Sequence, residues 1–519
     1  MFRQPEDGYA FPDAFQSPAM MAIGDSLYNG MRSATINAGF AALAVPALAA
    51  RVAFPDAPFR APRYPEVLLA EIEDRVRDMG LFTLLTGIGK LKAEVLANAT
   101  RWLNGENVIQ AEHLTWDNLA ISGAELPDLI TRDMAHWDGI AESLKPLVDS
   151  GDIPAIFSRA LDLHMSLNGR FLLNPNNRAE LRHMRPIDLV ALRKPKVLLV
   201  NIGANHGLID ITALGSEAAG NQRPENGLRG LAQWAEEMAG LAEMLTALGP
   251  ETTHIYVNTI PLPSTVPNLM FLHSLGRDFD WPDLDREANG FFKVYDPRLG
   301  GRYIRYTGAE LTEIDAEVTR IIERMISNVT SVFETAGDSR LRILRLDQAL
   351  KRYDSKHDRS LAITQDRADT ALEHRRRTYT NQAITFNNFI IGDLAGFRSG
   401  GFTSLDNHHP SGLGYAIFAR ELLALMQADF PGIDLDQMKI SELGDRLFSD
   451  APGEYESFVN ILYGLRRRQA GLPADPPLAE ANGEDLAPIG PPVEAPLSAE
   501  ESEAVQAARY ITTIAGARP

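Results

Sequence analysis

Ala22-Ile-Gly-Asp-Ser-Leu27 follows the apolar lead-in Ala19-Met20-Met21 and runs into Tyr28-Asn29-Gly30. The order reads as a short buried strand, a tight glycine-containing turn and the start of a helix. Ser26 then sits at the carboxyl end of the strand, where open α/β sheets carry their reactive groups. A serine at such a place is also an ordinary turn or helix-cap residue. The rest of the chain has to decide between the two.

Working outward, five apolar runs have strand character: Met20 to Ile23, Thr115 to Ile121, Val197 to Ile202, His254 to Ile260 and Leu341 to Leu346. The third and fourth are rich in β-branched residues without clear alternation, as in strands covered on both faces. Helical patterns lie between them. Gly227 to Leu248 and Leu311 to Thr335 carry apolar stripes at i, i+3, i+4 spacing, and Leu413 to Gln427 reads as a last core helix. Strands alternating with helices predict a doubly wound α/β sheet.

Length and composition narrow the function classes. The 519 residues carry 45% hydrophobic and 23% charged side chains, which suits a large globular core. A net charge of −19 argues against non-specific nucleic-acid binding. There is no cysteine, so disulfides and thiolate metal sites are excluded. The opening MFRQPEDGYAFPDAF has mixed charge and lacks the apolar core of a secretory leader, so the cytoplasm is the expected location. The run Ala41 to Val52 is short and contains Pro46, so it reads as a helix packed inside the fold, not a membrane span.

Two further segments carry chemistry: Asn201-Ile-Gly-Ala-Asn205 and Asp406-Asn-His-His-Pro410. With the Ser26 stretch and Asn118-Leu-Ala-Ile-Ser-Gly123 they occur in order, each at a strand end or before a helix. Jointly they resemble the SGNH hydrolases, also called the GDSL esterase/lipase family. The resemblance runs from about Met20 to Met426. It implies a flavodoxin-like three-layer α/β/α sandwich with a mainly parallel five-stranded sheet, ordered 2-1-3-4-5, and large helical insertions. No Gly-x-Ser-x-Gly elbow occurs, which points away from the α/β-hydrolase fold.

What the resemblance implies for chemistry is ester hydrolysis through an acyl-serine. Ser26 is the nucleophile, His409 the base and Asp406 its orienting carboxylate. The Ser26 N–H, the Gly123 N–H and the Asn205 side chain form the oxyanion hole. The family commonly has Asp after that Asn; here it is His206, so the local bonding of this loop departs from the pattern. His408 stands beside His409, and the Asp-x-x-His-Pro spacing favours His409. Neither this pair nor His206-Gly-Leu-Ile-Asp210 has further ligands at metal-site spacing, so neither metal nor cofactor is expected. Lipid-like or aryl esters are the favoured substrates, with an acyltransferase or a non-catalytic binding protein as alternatives. Nothing in the chain reads as a nucleic-acid partner or an integral membrane segment, and the oligomeric state is not legible.

Residues 1–465 are expected to form the hydrolase domain, with insertions near 55–110, 127–190, 265–310 and 350–400. Within the first, Leu81 to Leu96 reads as a core helix before an acyl-binding or membrane-touching one. Arg375-Arg-Arg377 and Arg466-Arg-Arg468 read as solvated helix faces. Residues 466–519 are rich in Pro, Ala and Glu and are expected to be disordered, with a short helix from Ser498 to Ala508.

Overall fold

The structure is a computed structural model that describes residues 1–33, 35–65, 67–70, 84–106, 108–109, 114–152, 155–156, 159–212, 224–266, 269–271, 291–293, 306–353, 363–365, 377–379, 404 and 408–435. Asp406, the expected tail, the Arg466 run and most of the 265–310 and 350–400 insertions lie outside the described residues.

The centre is a parallel sheet of β1 (Met20–Gly24), β2 (Val197–Asn201), β3 (His254–Asn258) and β4 (Leu341–Leu344), in that spatial order. Gly24 faces Asn201 in register, Val197 faces His254 and Ile255 faces Leu341. Every residue of β1 and β2 is buried, whereas β4 at the edge is mostly half-buried. That burial explains why the inner strands read as continuous apolar runs.

Five strands were expected, but among the described residues the sheet has four. The run from Thr115 to Ile121 contributes a single bridge, Asn118 to Ala22. It still lies along β1: Ala22 N donates to Asp117 O at 2.8 Å, and Leu119 and Ile121 N–H donate to Ala22 and Gly24 O. Side chains break its regularity. Asn118 Oδ1 accepts from Ala120 N while its Nδ2 donates to Tyr28 O, and the buried Arg193 guanidinium holds Asp117. Asn and Asp side chains of this kind compete with the ladder for backbone groups.

Helices follow in the expected places. They include α1 (Ser26–Asn29), α2 (Val45–Ala53), α3 (Leu84–Leu103), α4 (Met134–Ser150), α5 (Ala160–Leu173), α6 (Pro186–Arg193), α7 (Pro224–Thr246), α8 (Gly308–Thr335) and α9 (Gly412–Met426). Alternate strand residues feed two separate apolar clusters. Met21, Ile23, Leu198 and Val200 join Trp234 of α7 and Ile322 of α8. Met20, Ala22 and Leu199 join Leu48 of α2 and Leu422 of α9. This is the period-2 pleat of a strand buried on both sides.

The apolar run around Pro46 is indeed an internal helix: α2 carries Pro46 in its first turn, where a missing N–H costs nothing, and is buried over most of its length. In α3, Leu91, Val95, Ala99 and Trp102 lie in the first cluster, the core-packing reading of that segment. Among the described residues no helix is long and apolar enough to cross a membrane.

Candidate active site

The loops after β1, β2 and β3 meet the segment before α9 at the carboxyl edge of the sheet. They enclose a cavity of about 890 Å³, counting the space continuous with solvent. Most of its wall is apolar, including Leu208, Ile209, Ile260, Val266 and Phe418. Its polar members include Asp25, Ser26, Asn205, His408 and His409.

Ser26 is placed by the abrupt end of β1. Gly24 has φ +151°, and a Cβ there would stand 2.1 Å from Asn201 O, so only glycine fits. Asp25 then donates its N–H to Asn201 O at 2.9 Å and caps α1, its Oδ1 accepting from Leu27 N at 3.1 Å. Ser26, the first residue of α1, is half-buried on the cavity wall.

Asn205 lies in a single turn, Ala204–His206, directly after β2. Its Nδ2 donates to Ala124 O at 2.8 Å. His206, where the resemblance breaks, has a specific job: its Nε2 accepts the Leu126 N–H at 2.8 Å. That bond leaves the ring proton on Nδ1. Asn205 and His206 together fasten the β2 loop to the loop that carries Gly123.

Gly123 has φ +80° and packs on α5, where a Cβ would stand 2.8 Å from Met165 Sδ. It adjoins Ala124, the acceptor for Asn205, but it is not part of the cavity wall. Of the five expected site residues, Ser26, Asn205 and His409 share the cavity and Gly123 is not among the residues that line it. Asp406 lies outside the described residues.

His409 is 6% exposed. Its carbonyl accepts from Ser404 N at 2.9 Å and Ser404 Oγ at 3.1 Å, and Ser404 Oγ accepts from Ser33 N. The loop then turns through Pro410 into α9, capped by Ser411 Oγ accepting from Gly414 N. Both His408 and His409 line the cavity, so position alone does not separate them.

Three residues of the site were not read from the sequence. Asp25 is 1% exposed, with Oδ1 held at 2.6 Å by Asn201 Nδ2, whose own Oδ1 accepts from Asn258 Nδ2 at 2.9 Å. A polar chain thus crosses the ends of β1, β2 and β3. Burial pushes the Asp25 carboxyl up to about 7, opposed by the Leu27 and Asn201 hydrogen bonds and by attraction to His409. The readable signal was an Asp capping a helix at the end of a wholly apolar strand, which has nowhere to be but inside. Among the described residues no group of three or more His, Asp or Glu side chains is arranged to hold a metal ion.

Comparison of the chain with protein-family models, with curated proteins and with solved structures returned no match.

Proposed function

We propose that this chain is a serine hydrolase that cleaves carboxylic esters through an acyl-serine intermediate. One observation carries the reading: Ser26, Asn205 and His409, from three segments far apart in sequence, share one largely apolar cavity at the carboxyl edge of a parallel sheet. The fold we assign is a flavodoxin-like α/β/α sandwich. The segment around Asn118 stands as a residual fifth strand beside β1, giving the order 2-1-3-4-5.

A serine hydroxyl is a weak nucleophile until a base takes its proton. His409 removes the Ser26 proton as Oγ attacks the ester carbonyl, and Asp406 orients the imidazole. The developing oxyanion is met by the N–H groups of Ser26 and Gly123 and by Asn205 Nδ2. One N–H of that amide is held by Ala124 O, which fixes its rotamer and leaves the other to donate. His409 returns the proton to the leaving alcohol, and water then repeats the sequence on the acyl-serine. The apolar wall suits the hydrocarbon of a lipid-like or aryl ester.

The test is hydrolysis of p-nitrophenyl esters of increasing acyl length by wild type and Ser26→Ala, with fluorophosphonate labelling of both. Activity and label lost together in the variant support the reading. A wild type that neither turns over nor labels overturns it. Label without hydrolysis, with turnover rising on addition of an alcohol, points instead to acyl transfer.

A further inference from the structure

Three buried polar side chains, with the hydroxyl and the backbone N–H of Ser122, close a ring next to α1. Asn29, the last residue of α1, donates Nδ2 to Ala120 O at 2.7 Å and to the Tyr64 hydroxyl at 3.2 Å. Its Oδ1 accepts from Ser122 Oγ at 2.6 Å. Asn168 of α5 accepts the Ser122 N–H on Oδ1 at 3.3 Å and donates Nδ2 to the same Tyr64 hydroxyl at 3.0 Å. Asn29, Ser122 and Asn168 are fully buried and Tyr64 is 4% exposed.

We propose that Asn29, Ser122, Asn168 and Tyr64 are positioning residues that set the distance between Ser26 and the Gly123 turn. The inference rests on the hydrolase reading for its catalytic meaning. Asn29 is three residues from Ser26 on the same one-turn helix, and Ser122 is the neighbour of Gly123. The Ser122–Asn29 bond therefore joins the element bearing the nucleophile to the element bearing a donor for the oxyanion. From the other side, Asn205 and His206 hold Ala124 and Leu126. Residues 120–126 are thus clamped between α1 and α5 on one flank and the β2 loop on the other.

An all-apolar contact here would cost less desolvation than four buried polar groups. What the ring adds is direction. Hydrogen bonds fix the turn's backbone orientation, whereas packing alone lets it slide. Oxyanion donors work only when preorganised, and a misplacement of about 1 Å costs on the order of 10²-fold in rate. Burial also raises the Tyr64 phenol far above its ordinary range, so it stays a neutral two-bond acceptor at any working pH.

The test uses Ser122→Ala and Tyr64→Phe, which each delete one hydroxyl while leaving the side-chain framework in place. Wild-type labelling and turnover are measured first. With an active wild type, each variant should lose roughly ten- to hundredfold in kcat with KM changed by less than about threefold. Affinity for a trifluoromethyl ketone, which mimics the tetrahedral state, should fall in parallel. Affinity for the carboxylic acid product should hold. The double variant should lose less than the product of the two single losses, because both act on one ring.

Unchanged kcat overturns the inference. So does a fall in thermal stability with ketone affinity intact, which marks a purely structural ring. If the wild type is inactive, the hydrolase reading fails, and amide exchange of the peptide spanning 120–126 then decides the positioning. Faster exchange there in Ser122→Ala upholds it, and unchanged exchange overturns it.

Discussion

Asp25 gives one carboxylate oxygen to Asn201 at 2.6 Å, while the other is buried with no hydrogen-bond partner among the described residues. One oxygen is held as an acceptor, and the hydrogen bonds from Leu27 and Asn201 and the attraction to His409 favour the charged form only in part. Burial wins, and the group titrates near 7 instead of 3.8.

That relationship predicts the sign of a pH effect. The folded pKa is raised, so the Asp25 contribution is fully present below pH 3.8 and is lost as pH rises through 7. The total is on the order of 4 kcal/mol. Asp25→Asn keeps an oxygen for Leu27 and Asn201 and never ionises. Urea unfolding at pH 4 should find the two proteins similar, and at pH 8.5 the variant more stable. Parallel curves across this range would show that the carboxyl is better solvated than its burial implies.

His164 has the opposite slope. It lies in α5, fully buried, and neither ring nitrogen has a hydrogen-bond partner among the described residues. Burial, with repulsion from His409, pushes the imidazole down to about 3. Its contribution is present above pH 6.5 and is lost as pH falls toward 3, for a total on the order of 4–5 kcal/mol. His164→Leu should remove this acid limb and raise stability at pH 4 more than at pH 7. Equal gains at both would mean that hydrophobic burial, not protonation, is what the substitution changed.

The legible parts of this molecule are those whose signal is local. β2 and β3 stand out as β-branched runs because both their faces are covered, and α7 and α8 because one face of each is. Ser26 and Asn205 follow from motifs a few residues long. The segment at Asn118 lies along β1 without a full ladder: its apolar residues are there, but Asn118 spends its side chain on the backbone of Ala120 and Tyr28. The ring of Asn29, Tyr64, Ser122 and Asn168 left no trace at all. Its members recur at no period, and what unites them is a fold that brings α1, α5 and one turn together. Asp25 sat inside the quoted motif, yet its titration depends on Asn201 and His409, far along the chain.

Ser26→Ala should lower kcat by about 10⁶ if nucleophile and base act as a unit. Asn205→Ala should cost roughly 10²–10³, the usual loss for one oxyanion donor. Here the loss belongs at the upper end, because Asn205 Nδ2 also holds Ala124 and so steadies the Gly123 turn. Steady-state kinetics on one short-chain ester checks both. A loss in KM alone for Asn205→Ala would assign the residue to substrate binding instead.

The neighbouring histidines give the sharpest comparison. Both line the cavity, and the His409 carbonyl is pinned by Ser404, and through Ser404 to Ser33. A base must hold its place relative to the nucleophile, and this backbone tether supplies that. Ser33 lies a few residues beyond Ser26, so the tether ties the proposed base to the segment that follows the proposed nucleophile. His409→Ala should therefore be nearly as damaging as Ser26→Ala, and His408→Ala should cost less than about tenfold. Fluorophosphonate labelling adds a second readout: it should be lost in His409→Ala and persist in His408→Ala. The reverse pattern would move the base to His408 and leave the Ser404 tether as a loop anchor only.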